Sequence, residues 1–157
     1  MRLLFILLLL VQFRVSAQPH LQIPASDFRL PTPAGDSISL SSYRGKVVLL
    51  DFWASWCAPC RVANKNLVKI YPRLKEKGVV VISISLDENR KPWLEAVKKD
   101  RLGWVQLREV RGWYSSVTTD WAVNKIPATF LIDQEGNVVG RDLLEADLEK
   151  MINELIQ

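Results

Sequence analysis

Residues 47–53, Val47-Val48-Leu49-Leu50-Asp51-Phe52-Trp53, form a nearly unbroken apolar run with one carboxylate inside it. A strand with one face in water alternates apolar and polar residues, so a run of this kind demands cover on both faces. A second such run extends from Val79 to Leu86. Between the two, Leu67, Ile70, Tyr71 and Leu74 recur at spacings of three and four, which places them on one face of a helix. Pro72 falls inside that pattern and is expected to kink or shorten the helix. Pro92 suits the first turn of another helix, reaching about Arg101. Strand, helix, strand, helix is the pattern of an α/β domain with parallel central strands.

The flanking segments extend this core. Phe28 and Leu30, then the turn residues Pro33-Ala34-Gly35-Asp36, then Ile38 and Leu40, predict a short N-terminal β-hairpin. Trp104 to Leu107 reads as a strand and Val117 to Val123 as a short helix. Ala128 to Ile132 and Asn137 to Arg141 read as two strands joined at Asp133-Gln134-Glu135-Gly136. The stripe Leu144, Leu148, Met151, Ile152 and Leu155 predicts a closing helix packed on the core. No internal repeat or low-complexity segment interrupts this order.

The first 17 residues differ in kind. Arg2 precedes nine apolar residues, Leu3 to Val11, and the segment ends Val15-Ser16-Ala17, the layout of a secretory signal with a small-residue cleavage site. Nine residues fall well short of the roughly 20 that span a bilayer, which favours cleavage after Ala17 over an uncleaved anchor. Residues 18–27, with Pro19 and Pro24 and little periodicity, read as a lead-in to one domain over residues 28–157. Loss of Arg2 and Arg14 leaves 19 basic against 17 acidic side chains, a net charge of +2. That balance is not the footprint of a nucleic-acid-binding surface.

Two cysteines are present, Cys57 and Cys60, in the sequence Cys57-Ala58-Pro59-Cys60. An exported chain is free to use disulfides as staples, yet this one has none to spare. The pair sits where the first central strand gives way to a helix. There the unsatisfied amides and the positive end of the helix dipole favour thiolate over thiol. Cys57 is therefore the expected nucleophile and Cys60, one turn on, the resolving thiol of a dithiol-disulfide exchange. Pro59 fits the first helical turn, where its missing amide hydrogen costs little. The competing chemistry is metal binding. Tetrahedral zinc needs four ligands, and beyond the two thiols the chain has a single histidine, His20, which reads as a solvated lead-in residue. Two thiolates could still bind monovalent copper.

With these residues in place, a resemblance becomes specific. Asp51-Phe52-Trp53-Ala54-Ser55-Trp56-Cys57-Ala58-Pro59-Cys60 resembles the active-site signature of the thioredoxin superfamily. Ile126-Pro127-Ala128-Thr129-Phe130-Leu131-Ile132-Asp133 resembles its cis-proline segment. The hairpin, Gly45-Lys46-Val47-Val48-Leu49 and the stretch Ser85-Leu86-Asp87 are similar to the exported TlpA/ResA-like branch, so the likeness covers about residues 28–157. It implies a thioredoxin fold, a central mixed sheet flanked by helices, with an N-terminal hairpin extension.

The resemblance also implies roles. Pro127 would be cis and lie against the cysteines, with the backbone of Ile126 pairing with a substrate chain; a trans turn proline is the alternative. Asp51 would lie beneath the disulfide and relay a proton to or from Cys60, since a buried carboxylate has a raised pKa; the alternative is a solvated strand-end aspartate. Trp56 belongs to the substrate surface, whereas Trp53 is as readily core. Asp87 is either a second acid near the active site or a cap for the following helix. Trp104, Trp113 and Trp121, with Arg108 and Arg111, form either a docking loop or packing beneath one, and receive no role.

The functional expectation is an exported, periplasmic thiol-disulfide oxidoreductase with no cofactor beyond its own Cys57-Cys60 disulfide. It would act as a monomer that reduces protein disulfides, draw electrons from a membrane thiol donor, and serve a setting such as cytochrome c maturation. Two alternatives compete with it. A thiol peroxidase would set its cysteine in a Pro, Thr and Cys loop, whereas Cys57 follows Trp56 and has a partner three residues on. A non-catalytic module would hold a client chain or copper without turnover.

Overall fold

The computed structural model describes residues 23–157. The signal segment and His20 lie outside them, as does the first half of the lead-in. The run that opens the sequence argument becomes strand β4, Val48–Trp53, and all six of its residues are buried. It pairs in parallel with β5, Val80–Ser85, and antiparallel with β7, Ala128–Ile132. On one side β6, Val105–Arg108, extends the sheet in parallel; on the other, β8, Asn137–Arg141, pairs antiparallel with β7. Ile23–Pro24 of the lead-in add β1 antiparallel to β8. The order is β1-β8-β7-β4-β5-β6, a mixed sheet. β2, Arg29–Pro31, and β3, Ser37–Ser39, form the separate two-stranded hairpin.

Alternate residues of β4 feed two cores. Val48, Leu50 and Phe52 meet Phe28, Leu30 and Leu40 of the hairpin region together with Trp121. Leu49 and Trp53 face the helices: Leu74 of α1, Ala58–Glu76; Trp93 and Ala96 of α2, Arg90–Asp100; Leu148 and Ile152 of α4, Glu145–Leu155. The intervening α3, Ser116–Asp120, is shorter than its apolar pattern suggested and begins with the Ser115 hydroxyl accepting from the Thr118 amide at 3.1 Å. Trp121 just beyond it is core: its ring stands 5.0 Å from Phe130, 6.1 Å from Phe52 and 6.5 Å from Phe28. Among the described residues no helix is long and apolar enough to cross a membrane.

Of the two outcomes expected of Pro72, shortening does not occur: α1 runs through it to Glu76. An interior proline costs a helix about 3 kcal/mol. Leu74, buried beyond the proline, and Leu67, Ile70 and Tyr71 before it all pack on the same core. Burial of that continuous face, at about 1.5–3 kcal/mol for each large apolar side chain, outweighs the local penalty.

Candidate active site at the Cys57 and Cys60 pair

β4 delivers the chain to the loop Ala54 to Trp56, and α1 starts immediately after Cys57. Cys57 is the N-cap residue of α1, and its Sγ accepts from the Cys60 amide at 3.2 Å. Pro59 occupies the first turn, as its chemistry predicts. The two cysteines are joined as a disulfide with Cα atoms 5.3 Å apart. They are unequal in access. Cys60 has no exposed surface, whereas Cys57 keeps 6% and is flanked by Trp56, at 59% exposed. An incoming thiol or disulfide can reach Cys57 alone of the two sulfurs.

The Ile126-Pro127 peptide is cis, and the Cys57 Sγ lies 3.9 Å from the Ile126 carbonyl oxygen. The cis-proline segment therefore lies against the reactive sulfur, though 69 residues separate the two in the chain. Neither the amide nor the carbonyl of Ile126 makes a backbone hydrogen bond among the described residues. Both remain available to an extended chain laid beside Cys57.

Asp51 is 3% exposed, which removes the solvated strand-end alternative. It shares the helix-facing side of β4 with Leu49 and Trp53, the side that carries Cys60 in its core. Burial pushes its carboxyl up to about 7, against the opposing pull of a hydrogen bond from Ser83. Ser83 Oγ donates to Asp51 Oδ2 at 2.9 Å and accepts from Trp104 Nε1 at 2.8 Å. The carboxyl also lines a cleft of about 380 Å³ with Asn64, Leu67, Thr129 and Leu148.

Asp87 is buried at 2% exposed, and it neither caps α2 nor stands free. The N-cap position of α2 is Asn89, without a side-chain cap bond. The Asp87 carboxylate instead accepts from the Ser55 amide at 2.8 Å, the Ser55 hydroxyl at 2.6 Å and the Ser85 hydroxyl at 2.6 Å. It thereby ties the end of β5 to the loop that carries Trp56 and Cys57.

Beside that loop a groove of about 510 Å³ is lined by Trp56, Asp87, Glu88, Pro92 and Trp113. Trp113 is 37% exposed and its neighbour Tyr114 is 88% exposed, so of the three tryptophans left without a role one belongs to the active-site surface. Trp121 is core, and Trp104 holds Ser83. Sequence reasoning passed over Ser83, although a visible signal existed. Ser83 and Ser85 are polar residues on alternate positions of an otherwise apolar strand, and Ser83 stands in register with Asp51. No group of three or more His, Cys, Asp or Glu side chains converges to hold a metal among the described residues.

Comparison with known proteins agrees with this geometry. The AhpC/TSA family model matches residues 21–141. The thiol-disulfide oxidoreductase ResA of Bacillus cereus is 32% identical over 127 residues, covering 81% of this chain and 72% of the relative. ResA of Geobacillus kaustophilus is also 32% identical, with coverage of 83% and 75%. Among solved structures, a thiol-disulfide oxidoreductase from Bacteroides fragilis superposes with a TM-score of 0.78 at 34% identity, covering 84% of this chain and 98% of its own. The thioredoxin domain of a thiol-disulfide oxidoreductase from Bacteroides vulgatus gives 0.78 at 28% identity, with coverage of 85% and 96%. An oxidised cysteine pair capping a helix, a cis-proline against the outer sulfur and relatives of this kind lead to one assignment: the chain belongs to the AhpC/TSA family of thioredoxin-fold proteins and is a thiol-disulfide oxidoreductase of the ResA type.

Proposed function

We propose that the chain works as a reductase of protein disulfides in an extracytoplasmic compartment. The observation that carries this reading is the asymmetry of the pair, an accessible Cys57 at the N-terminus of α1 and an enclosed Cys60 behind it. In the reduced chain the Cys57 thiolate attacks a client disulfide, forming the mixed disulfide and releasing one client thiolate. Cys60 then loses its proton, for which Asp51 is the acceptor, and attacks the Cys57 sulfur. The second client thiolate leaves, and the Cys57-Cys60 disulfide is restored with both electrons transferred to the client. A membrane thiol donor returns the pair to the dithiol. Ile126 and the Trp56–Trp113 groove hold the client polypeptide.

Export rests on the signal-like residues 1–17, and the family resemblance supports a periplasmic setting such as cytochrome c maturation, in which the chain would act as a monomer. Potentials on this fold run from about −270 mV for thioredoxin to about −120 mV for DsbA. Equilibration of the pair against dithiothreitol tests the direction: a value near the thioredoxin end is expected, and one near the DsbA end reverses the assignment to an oxidant.

A further inference from the structure

Ser55, two residues before the reactive sulfur, is fastened from both sides. Asp87 takes its amide and hydroxyl, at 2.8 and 2.6 Å. The Ser55 carbonyl accepts from Arg61 Nη1 at 3.1 Å. Arg61 immediately follows Cys60, and it is itself forked onto Asp100, the last residue of α2, through Nη2 to Oδ1 at 2.7 Å and through Nε to Oδ2. The Asp100 side chain is 3% exposed and that of Arg61 23%. Two carboxylates, one just beyond β5 and one ending α2, thus bear on a single loop residue, Asp87 directly and Asp100 through Arg61.

Burying carboxylates is costly unless every oxygen is used, and losing one partner of such a set is penalised more than the set stabilises. Oxygen-to-oxygen bonds as short as 2.6 Å, which Asp87 makes to the Ser55 and Ser85 hydroxyls, belong to the strong, directional class. The catalytic cycle supplies a reason for this arrangement. While the disulfide is closed, it restrains the loop by itself. When it opens, Cys57 keeps two backbone bonds, from its amide to the Ala54 carbonyl and to its carbonyl from the Arg61 amide, each at 3.1 Å, and the loop before it is fixed at Ser55. Stabilisation of a thiolate by a helix N-terminus fades within the first turn, so a small displacement of Sγ forfeits it.

We infer that Asp87, Arg61 and Asp100 clamp Ser55 so that the Cys57 sulfur keeps its place at the N-terminus of α1 after the disulfide opens. They are positioning residues for the exchange reaction, and the inference rests on Cys57 being the attacking sulfur.

The sign of one measurement separates a clamp from a charge effect. The pH dependence of Cys57 alkylation by iodoacetamide, read by mass spectrometry on the reduced full chain, gives the thiolate midpoint without any client. Asp87→Asn and Asp100→Asn each delete a negative charge near the loop, so electrostatics alone moves the midpoint down. Release of Ser55 moves it up, by about one pH unit, because the helix-terminal stabilisation is lost. Ser55→Ala changes no charge and, with one half-buried hydroxyl removed, is the variant least able to disturb folding; it moves the midpoint in the same upward direction. Ser55→Thr keeps the amide and hydroxyl and restores the parent value. Glu88 in the groove and Asp51 in β4 are unchanged in all four variants. A downward shift in both amide variants, or an unmoved midpoint in Ser55→Ala, overturns the clamp. Failure of disulfide exchange by the parent chain would instead overturn the reductase reading and leave these midpoints as measured.

Discussion

The Ser83 hydroxyl donates to the Asp51 carboxylate at 2.9 Å, across two central strands in which the residues are direct register partners. Trp104 completes the chain by donating its indole N–H to the same hydroxyl at 2.8 Å. A single carboxylate in a buried strand thus receives one oriented donor, enough to hold it but too little to ionise it at an ordinary carboxylate pKa. Its value of about 7, raised by burial, lies in the range a proton acceptor needs near neutral pH, as the proposed role for Asp51 requires.

Stability should therefore depend on pH in a specific sense. A carboxyl with a pKa near 7 when folded and 3.8 when unfolded binds its proton more tightly in the folded chain. Stability is full below pH 3.8, falls as pH rises towards 7, and levels off above it. Asp51→Asn removes this loss and should be more stable than the parent at pH 8, by up to about 4 kcal/mol. The difference should vanish near pH 4. Urea unfolding of the oxidised proteins at both pH values measures it.

Activity should run the opposite way. If Asp51 takes the Cys60 proton as proposed, the resolving step should accelerate as pH rises through about 7, because only the ionised carboxylate accepts a proton. Ser83→Ala deletes the bond that holds this pKa down, so the midpoint of the pH–rate curve should move above 7. Stopped-flow tryptophan fluorescence over pH 5–9 follows the shift, and Asp51→Asn should flatten the curve.

Two tryptophans eight residues apart should behave differently on truncation. Trp121→Ala removes a ring packed on Phe28, Phe52 and Phe130 and should destabilise the domain by about 3–5 kcal/mol. Trp113→Ala should leave thermal stability nearly unchanged, because the residue is 37% exposed at the groove beside Trp56. It should slow reduction of a protein disulfide several-fold while leaving a small aromatic disulfide unaffected. Paired assays on the two substrates make the comparison.

The turn between β7 and β8 offers a stability test remote from the site. Gly136 has φ +84°, and a Cβ there would also overlap the Arg44 guanidinium. Gly136→Ala should cost more than about 1 kcal/mol, measured by thermal unfolding, with Cys57 reactivity unchanged.

Local pattern marked most of the central elements to within a residue or two, but it ran α3 three residues too far and read Ile23–Pro24, which form β1, as lead-in. Unbroken apolar runs marked β4 and β5, and the Asp133 to Gly136 turn set the β7–β8 pair. The shortening expected at Pro72 did not occur because a propensity rule cannot weigh the tertiary burial of Leu74 beyond it. Cys57, Cys60, Asp51 and Pro127 were legible because each is chemically conspicuous where it stands: two neighbouring thiols, a carboxylate in an apolar strand, a proline opening one. Ser55, Arg61 and Asp100 were not. Their partners lie 32 and 39 residues away, and no periodicity within one element encodes a contact between the ends of three.

The most direct test of unequal roles for the two sulfurs is adduct trapping in the native compartment. Cys60→Ser should accumulate mixed disulfides through Cys57, visible as thiol-sensitive high-mass bands on non-reducing gels, while Cys57→Ser should accumulate few. Equal, low trapping by both variants would contradict the account.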